Sequence, residues 1–229
     1  MRRLPVLTHL PKWCYLDFML HKTKPQFEKL IAPVCGLFMK LNVTPNWITV
    51  LGLLLVIAAM VSFALRQFWL FFIFGVAGAI LDGVDGKVAR DTGKITRFGG
   101  FLDSSLDRIA EIIIAGGVLY CFIGSGLFTL ASGVVFATIT GALLTSYVRA
   151  RGDAAGFDPK EGLLQRADRG AVFLSSIIIG LVLDRFCGNS QPHYFLFRAI
   201  LLGSGIIALA AYFTVFQRIY FVWKNTKDQ

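Results

Sequence analysis

Four aspartates fall within Leu81–Arg108: Asp82 and Asp85, three residues apart, and Asp103 and Asp107, four apart. Those spacings put both members of each pair on one face of a helix. Gly86, Ala89, Arg90 and Gly99 stand between them, so the stretch reads D-x2-D-G-x2-A-R-x8-G-x3-D-x3-D. A lone aspartate at a helix end is a solvated cap, but four carboxylates gathered in an apolar chain require a compensating cation. Oxygen-only ligands suit a hard divalent ion, Mg2+ with Mn2+ as a substitute. The chemistry that fits is the binding of a hard divalent cation at the edge of a membrane, and the alternative is an ion path lined with acids.

The elements that carry these residues are apolar. The 229 residues are 55% hydrophobic and 16% charged, with a mean hydropathy of +0.65. Globular chains carry about a quarter charged residues, so the composition indicates an all-α integral membrane protein. Trp47–Leu65 holds no charge, close to the roughly 20 residues that a spanning helix needs. Six spans are expected at 46–65, 68–88, 100–124, 130–149, 169–184 and 194–220. The uncharged run Phe68–Leu81 is too short to cross alone, so its helix continues into Asp82–Val88 and sets the first aspartate pair at the interface. The third span starts inside the motif, and each pair is expected to end a helix at one membrane face.

Residues 1–45 are read as an N-terminal interfacial segment and 46–229 as the six-helix membrane domain. Phe27, Leu30, Ile31, Val34, Phe38 and Leu41 recur at helical intervals among Lys24, Lys29 and Lys40, the pattern of an amphipathic helix in the headgroup layer that Pro33 interrupts. The opening Met-Arg-Arg-Leu-Pro lacks the apolar core and cleavage site of a secretory signal. Of the 23 Lys and Arg, only Arg66, Arg185 and Arg198 fall on the side opposite the termini. That asymmetry places both termini and the aspartates in the cytoplasm, at the plasma membrane. The net charge of +9 is spread by loop, so nucleic acid is not an expected partner. Cys14, Cys35, Cys121 and Cys187 have no metal spacing and read as small buried hydrophobes.

The motif resembles the signature of the CDP-alcohol phosphotransferases, membrane enzymes that join a CDP-linked lipid to a second alcohol. Asp82, Asp85, Gly86, Ala89, Arg90, Gly99, Asp103 and Asp107 meet its fixed positions. The resemblance implies a six-helix fold, a homodimer, and Asp82, Asp85 and Asp103 as metal ligands facing the diphosphate of CDP-diacylglycerol or CDP-archaeol. Asp107 would be the general base that deprotonates the acceptor and would also touch metal. Gly86, Ala89, Arg90 and Thr96 would contact the CDP-lipid, with Asn46 and Thr49 holding the cytidine end. Thr96 also fits a plain loop hydroxyl, and Asn46 a helix cap.

A second cluster comprises Arg149, after Ser146-Tyr147-Val148, and Arg166 and Arg169, three apart. Guanidinium forks suit a phosphate monoester, although positive-inside anchoring would place arginines here too. The region is similar to the phosphatidylinositol-phosphate synthase branch, which implies inositol phosphate as acceptor and CMP as the other product. Glycerol phosphate, serine or another polyol phosphate would preserve the chemistry with a different acceptor. A divalent-cation transporter is the rival from another class.

Overall fold

The computed structural model describes residues 31–159, 162–164, 166–187 and 193–227. Among them the regular structure is helical throughout: α1 (Ile31–Lys40), α2 (Pro45–Ala64), α3 (Phe68–Asp91), α4 (Arg97–Phe122), α5 (Phe128–Ala154), α6 (Arg166–Phe186) and α7 (Tyr194–Lys227). The six long helices follow the six expected segments one for one. Four of them, α2, α3, α5 and α7, are long and apolar enough by themselves to cross a membrane. In α4 the apolar run is confined to Ile112–Phe122 by Asp103, Asp107, Arg108 and Glu111, and in α6 Arg169, Asp184 and Arg185 flank the run Gly170–Leu183.

One expectation is corrected. The aspartate pairs do not terminate their helices, because α3 runs on to Asp91 and α4 already begins at Arg97. The linker shrinks to 92–96, and its ends are specified locally. Gly93 takes a left-handed φ of +67°, its N–H donates to Arg90 O and that of Lys94 to Ala89 O, which closes the last turn of α3. Thr96 Oγ1 then accepts the Gly99 N–H at 2.9 Å and caps α4. The two pairs are thereby held on helical backbone on either side of a five-residue turn.

The described residues divide into two compact units, 31–55 with 74–106, and 56–73 with those between 107 and 227. In the first, Ile31 and Cys35 of α1, Ile48 of α2, and Leu81, Val84 and Val88 of α3 form a buried cluster, flanked by Val34 and Phe38. The apolar stripe expected for the N-terminal helix thus packs on α2 and α3, while Leu41 is exposed. The backbone stays helical through Pro33, and Phe27 and Leu30 lie outside the described residues. Of the cysteines, Cys35 is buried, Cys121 half-buried and Cys187 exposed, so Cys187, just past the end of α6, corrects the expectation of burial. Cys14 lies outside the described residues.

In the second unit α7 packs against both α5 and α6. Without a hydrophobic drive between helices in lipid, close backbone approach at small residues supplies the contact. A Cβ on Gly141 would sit 3.1 Å from Ala211 Cβ, and one on Gly180 only 2.6 Å from Leu196 Cα. Asp184 at the end of α6 accepts the N–H groups of Phe195 and Leu196 at 2.8 and 3.2 Å, satisfying the start of α7. Gly180→Ala is therefore expected to destabilise by about 1–3 kcal/mol, since backbone cannot yield cheaply. Gly75→Ala, with nothing within 4 Å, should leave the melting temperature in detergent unchanged while Gly180→Ala lowers it by several degrees.

Candidate active site

On α3 the residues Asp82, Asp85, Gly86, Ala89 and Arg90 follow the spacing of one helix face, beside the stripe Leu81, Val84 and Val88 that enters the core. The packing of that stripe fixes which way the aspartates point. Asp85 is buried, and its Oδ2 accepts the Thr49 hydroxyl of α2 at 2.7 Å while Oδ1 accepts the Gly86 N–H. Both oxygens are thus oriented by neighbours. Gly86 and Ala89 keep the face low, and a Cβ at Gly86 would crowd the Arg90 guanidinium, 3.3 Å away.

Asn46 lies inside α2, where Pro45 opens the helix and Thr44 O accepts the first N–H groups. Its Oδ1 points at α4: a Cβ on Gly99 would meet it at 3.2 Å and Thr96 Oγ1 at 3.0 Å. That close approach leaves little room for a side chain at Gly99, and Asn46, inside the helix, is not a helix cap. Thr96 proves to be the cap of α4.

The helix α4 continues without a break across the boundary between Leu106 and Asp107. It presents Asp103, Asp107 and Glu111 at successive intervals of four on one stripe. Asp82, Asp103 and Asp107 each offer an oxygen, all within 4.8 Å of one another. Three such carboxylates are the donor set of a hard divalent cation, and the residues present fit one. Asp85 stands outside this trio on the same α3 face, held toward Thr49.

The basic cluster forms in the second unit. Arg149 is exposed near the end of α5, and Arg169 is buried on α6. Arg169 Nη2 donates to Glu111 Oε1 at 2.9 Å, and Arg108 Nη1 donates to Glu111 Oε2 at 2.6 Å. Arg166 opens α6, but its side chain lies outside the described residues. Two members were not expected from the sequence. Arg218 of α7 is buried, donates to Thr145 O at 2.6 Å, and lies close enough to Arg149 and Arg169 to feel their charges. A lone arginine in the apolar run of α7 was the available signal. Glu111 extends the Asp103–Asp107 stripe by one turn, which was the signal for it.

Asp107 of the carboxylate trio and Glu111, which holds Arg169, stand one turn apart on α4. Residues 42–217 match the family model for CDP-alcohol phosphatidyltransferase. The chain belongs to that family. The protein is therefore an enzyme, which sets aside the cation-transporter reading. It is 32% identical to the archaetidylinositol phosphate synthase of Pyrococcus horikoshii, over 88% of this chain and 95% of that protein. Identity to the phosphatidylinositol phosphate synthase of Cutibacterium acnes is 31%, over 88% of this chain and 96% of that one. Among solved structures, the phosphatidylinositol phosphate synthase of Mycobacterium tuberculosis with CDP-DAG bound superposes with a TM-score of 0.68 at 25% identity, covering 85% of this chain and 94% of that chain. The same enzyme in complex with manganese and citrate gives a TM-score of 0.69 at 25% identity, over 84% and 88% of the two chains.

For this phosphatidyltransferase the Thr49–Asp85 bond is a direct test of site orientation. Thr49→Val keeps the shape and removes one hydrogen bond to a charged group, worth about 1.5–3 kcal/mol. The expected result is a loss of about tenfold or more in kcat/KM, with helicity unchanged and the melting temperature lowered by a few degrees.

Proposed function

We propose that the protein transfers a phosphatidyl group, or its archaeal ether-lipid counterpart, from CDP-diacylglycerol or CDP-archaeol to inositol phosphate and releases CMP. The observation that carries the acceptor assignment is the grouping of Arg149, Arg169 and Arg218, with Arg169 tied to the helix that bears Asp107. Guanidinium groups gathered in one unit of the chain suit the dianion of a phosphate monoester. Arg166, one turn before Arg169 on α6, belongs to the same pocket in this reading. The names of the Pyrococcus and Cutibacterium relatives point the same way.

The donor side uses the α2, α3 and α4 residues. Asn46, Gly86, Ala89 and Arg90 line the face for the CDP-lipid, while Thr49 and Thr96 hold Asp85 and the start of α4. Asp82, Asp103 and Asp107 would hold Mg2+, or Mn2+ in its place, with Asp85, outside that trio, as the fourth carboxylate beside them. When bound, the ion screens the diphosphate and stabilises CMP as it leaves. Asp107 accepts the proton of the acceptor hydroxyl as its oxygen bonds to the lipid-linked phosphorus. The bond from that phosphorus to the CMP oxygen breaks in the same exchange.

The membrane reading takes α2–α7 as six spans and α1 as the interfacial helix, with both termini and the active site on the cytoplasmic side of the plasma membrane. It is supported by the distribution of Lys and Arg and by the placement of the charged residues of α4 and α6 toward their helix ends. A homodimer completes the assignment.

An acceptor panel tests the function. With CDP-diacylglycerol and Mg2+, CMP release should depend on inositol phosphate and should fail with serine, which offers no phosphate to the arginines. Arg149→Gln, at an exposed position, should raise the KM for inositol phosphate about tenfold, the equivalent of about 1.4 kcal/mol, without changing that for the CDP-lipid. Glycerol phosphate as the preferred substrate would keep the pocket and change the acceptor. Equal turnover with serine would contradict the assignment.

A further inference from the structure

We infer that Glu111 is a positioning residue for the acceptor: it sets the Arg169 guanidinium at a fixed place along the helix that carries Asp107. The inference rests on the reading above, in which Arg169 receives the acceptor's phosphate and Asp107 its proton.

Both carboxylate oxygens of Glu111 are engaged, Oε1 by Arg169 Nη2 at 2.9 Å and Oε2 by Arg108 Nη1 at 2.6 Å. The Glu111 side chain is 14% exposed and that of Arg169 10%, so water screens this pair little. Arg108 sits on α4 with Glu111, whereas Arg169 comes from α6. The bridge therefore joins two helices, and its α4 end is four residues from Asp107, one helical turn away. A phosphate bound to Arg169 inherits that spacing from Asp107, and so does the hydroxyl that must reach the base.

A carboxylate beside an anion pocket could instead repel the phosphate. Here its charge is matched by Arg169, while Arg108 lies between Glu111 and Asp107, 3.9 Å from the latter; Arg149 and Arg218 supply the net positive charge. A guanidinium has five N–H donors in a planar fork. Anchoring Nη2 to Glu111 orients the plane and leaves the other donors for phosphate. Without the anchor, a buried guanidinium has lost its partner, a strongly unfavourable state, and its long side chain turns away to find another. Loss of direction then outweighs any gain in positive charge.

The test uses the full-length enzyme in detergent, following CMP release from CDP-diacylglycerol with Mg2+ and inositol phosphate, or whichever phosphorylated alcohol the wild type uses. Glu111→Gln is expected to raise the acceptor's KM about tenfold, the effect of one charge-assisted hydrogen bond, with the CDP-lipid's KM held within about twofold. Glu111→Asp keeps the charge and should recover part of the affinity. It also carries the comparison if the Gln variant does not fold. An unchanged acceptor KM, a lowered one, or equal losses for both substrates would overturn the inference while leaving the function intact. A wild type that releases no CMP with any phosphorylated alcohol would overturn the functional reading and the inference with it.

Discussion

Mutual repulsion of carboxylates is the constraint around which the rest is arranged. Oxygens of Asp82, Asp103 and Asp107 lie within 4.8 Å of one another. At that separation each pair of full charges costs about 3 kcal/mol even at an effective dielectric near 20. Arg108 Nη2, 3.9 Å from Asp107 Oδ2, offsets part of that repulsion. A divalent cation turns the same geometry from a cost into a binding site, and the diphosphate of a CDP-lipid is the anion such an ion would face.

The chain meets that cost with stiff backbone. The glycine-closed end of α3 and the Thr96 cap of α4 leave a five-residue turn between the aspartate pairs, with little slack. Packing of Leu81, Val84 and Val88 against α1 and α2 sets the rotation of α3. Thr49 then fixes Asp85. Further along, α4 carries Asp103, Asp107 and Glu111 on a single stripe, so Asp107 and the anchor of Arg169 stand one helical turn apart. Positioning by helices rather than loops suits a reaction whose two substrates must be brought together within ångströms.

Much of this was legible in the sequence because its signals are periodic. Spacings of three and four put Asp82 beside Asp85 and Asp103 beside Asp107, and uncharged runs gave the six long helices to within a few residues. Helix ends were less legible: nothing in the pattern of apolar residues announced that α3 would continue to Asp91, since the continuation depends on Gly93 adopting a left-handed turn. Contacts between distant segments were not legible at all. The Thr49–Asp85 bond spans 36 residues, the Glu111–Arg169 pair 58 and the Arg218–Thr145 bond 73. Arg218 reads in the sequence as one more basic residue near the end of α7; its burial and its bond to Thr145 O come only from the fold.

The central claim is that these aspartates hold a divalent ion against the donor's diphosphate. Pulsed electron paramagnetic resonance of Mn2+ added to the protein, recorded with and without CDP-diacylglycerol, tests it most directly. The account predicts a bound, immobilised Mn2+ that acquires hyperfine coupling to phosphorus-31 when the CDP-lipid is present, and that is lost when Asp82 and Asp103 are both replaced by Asn. A spectrum of freely hydrated Mn2+, or a bound ion with no phosphorus coupling, would contradict it.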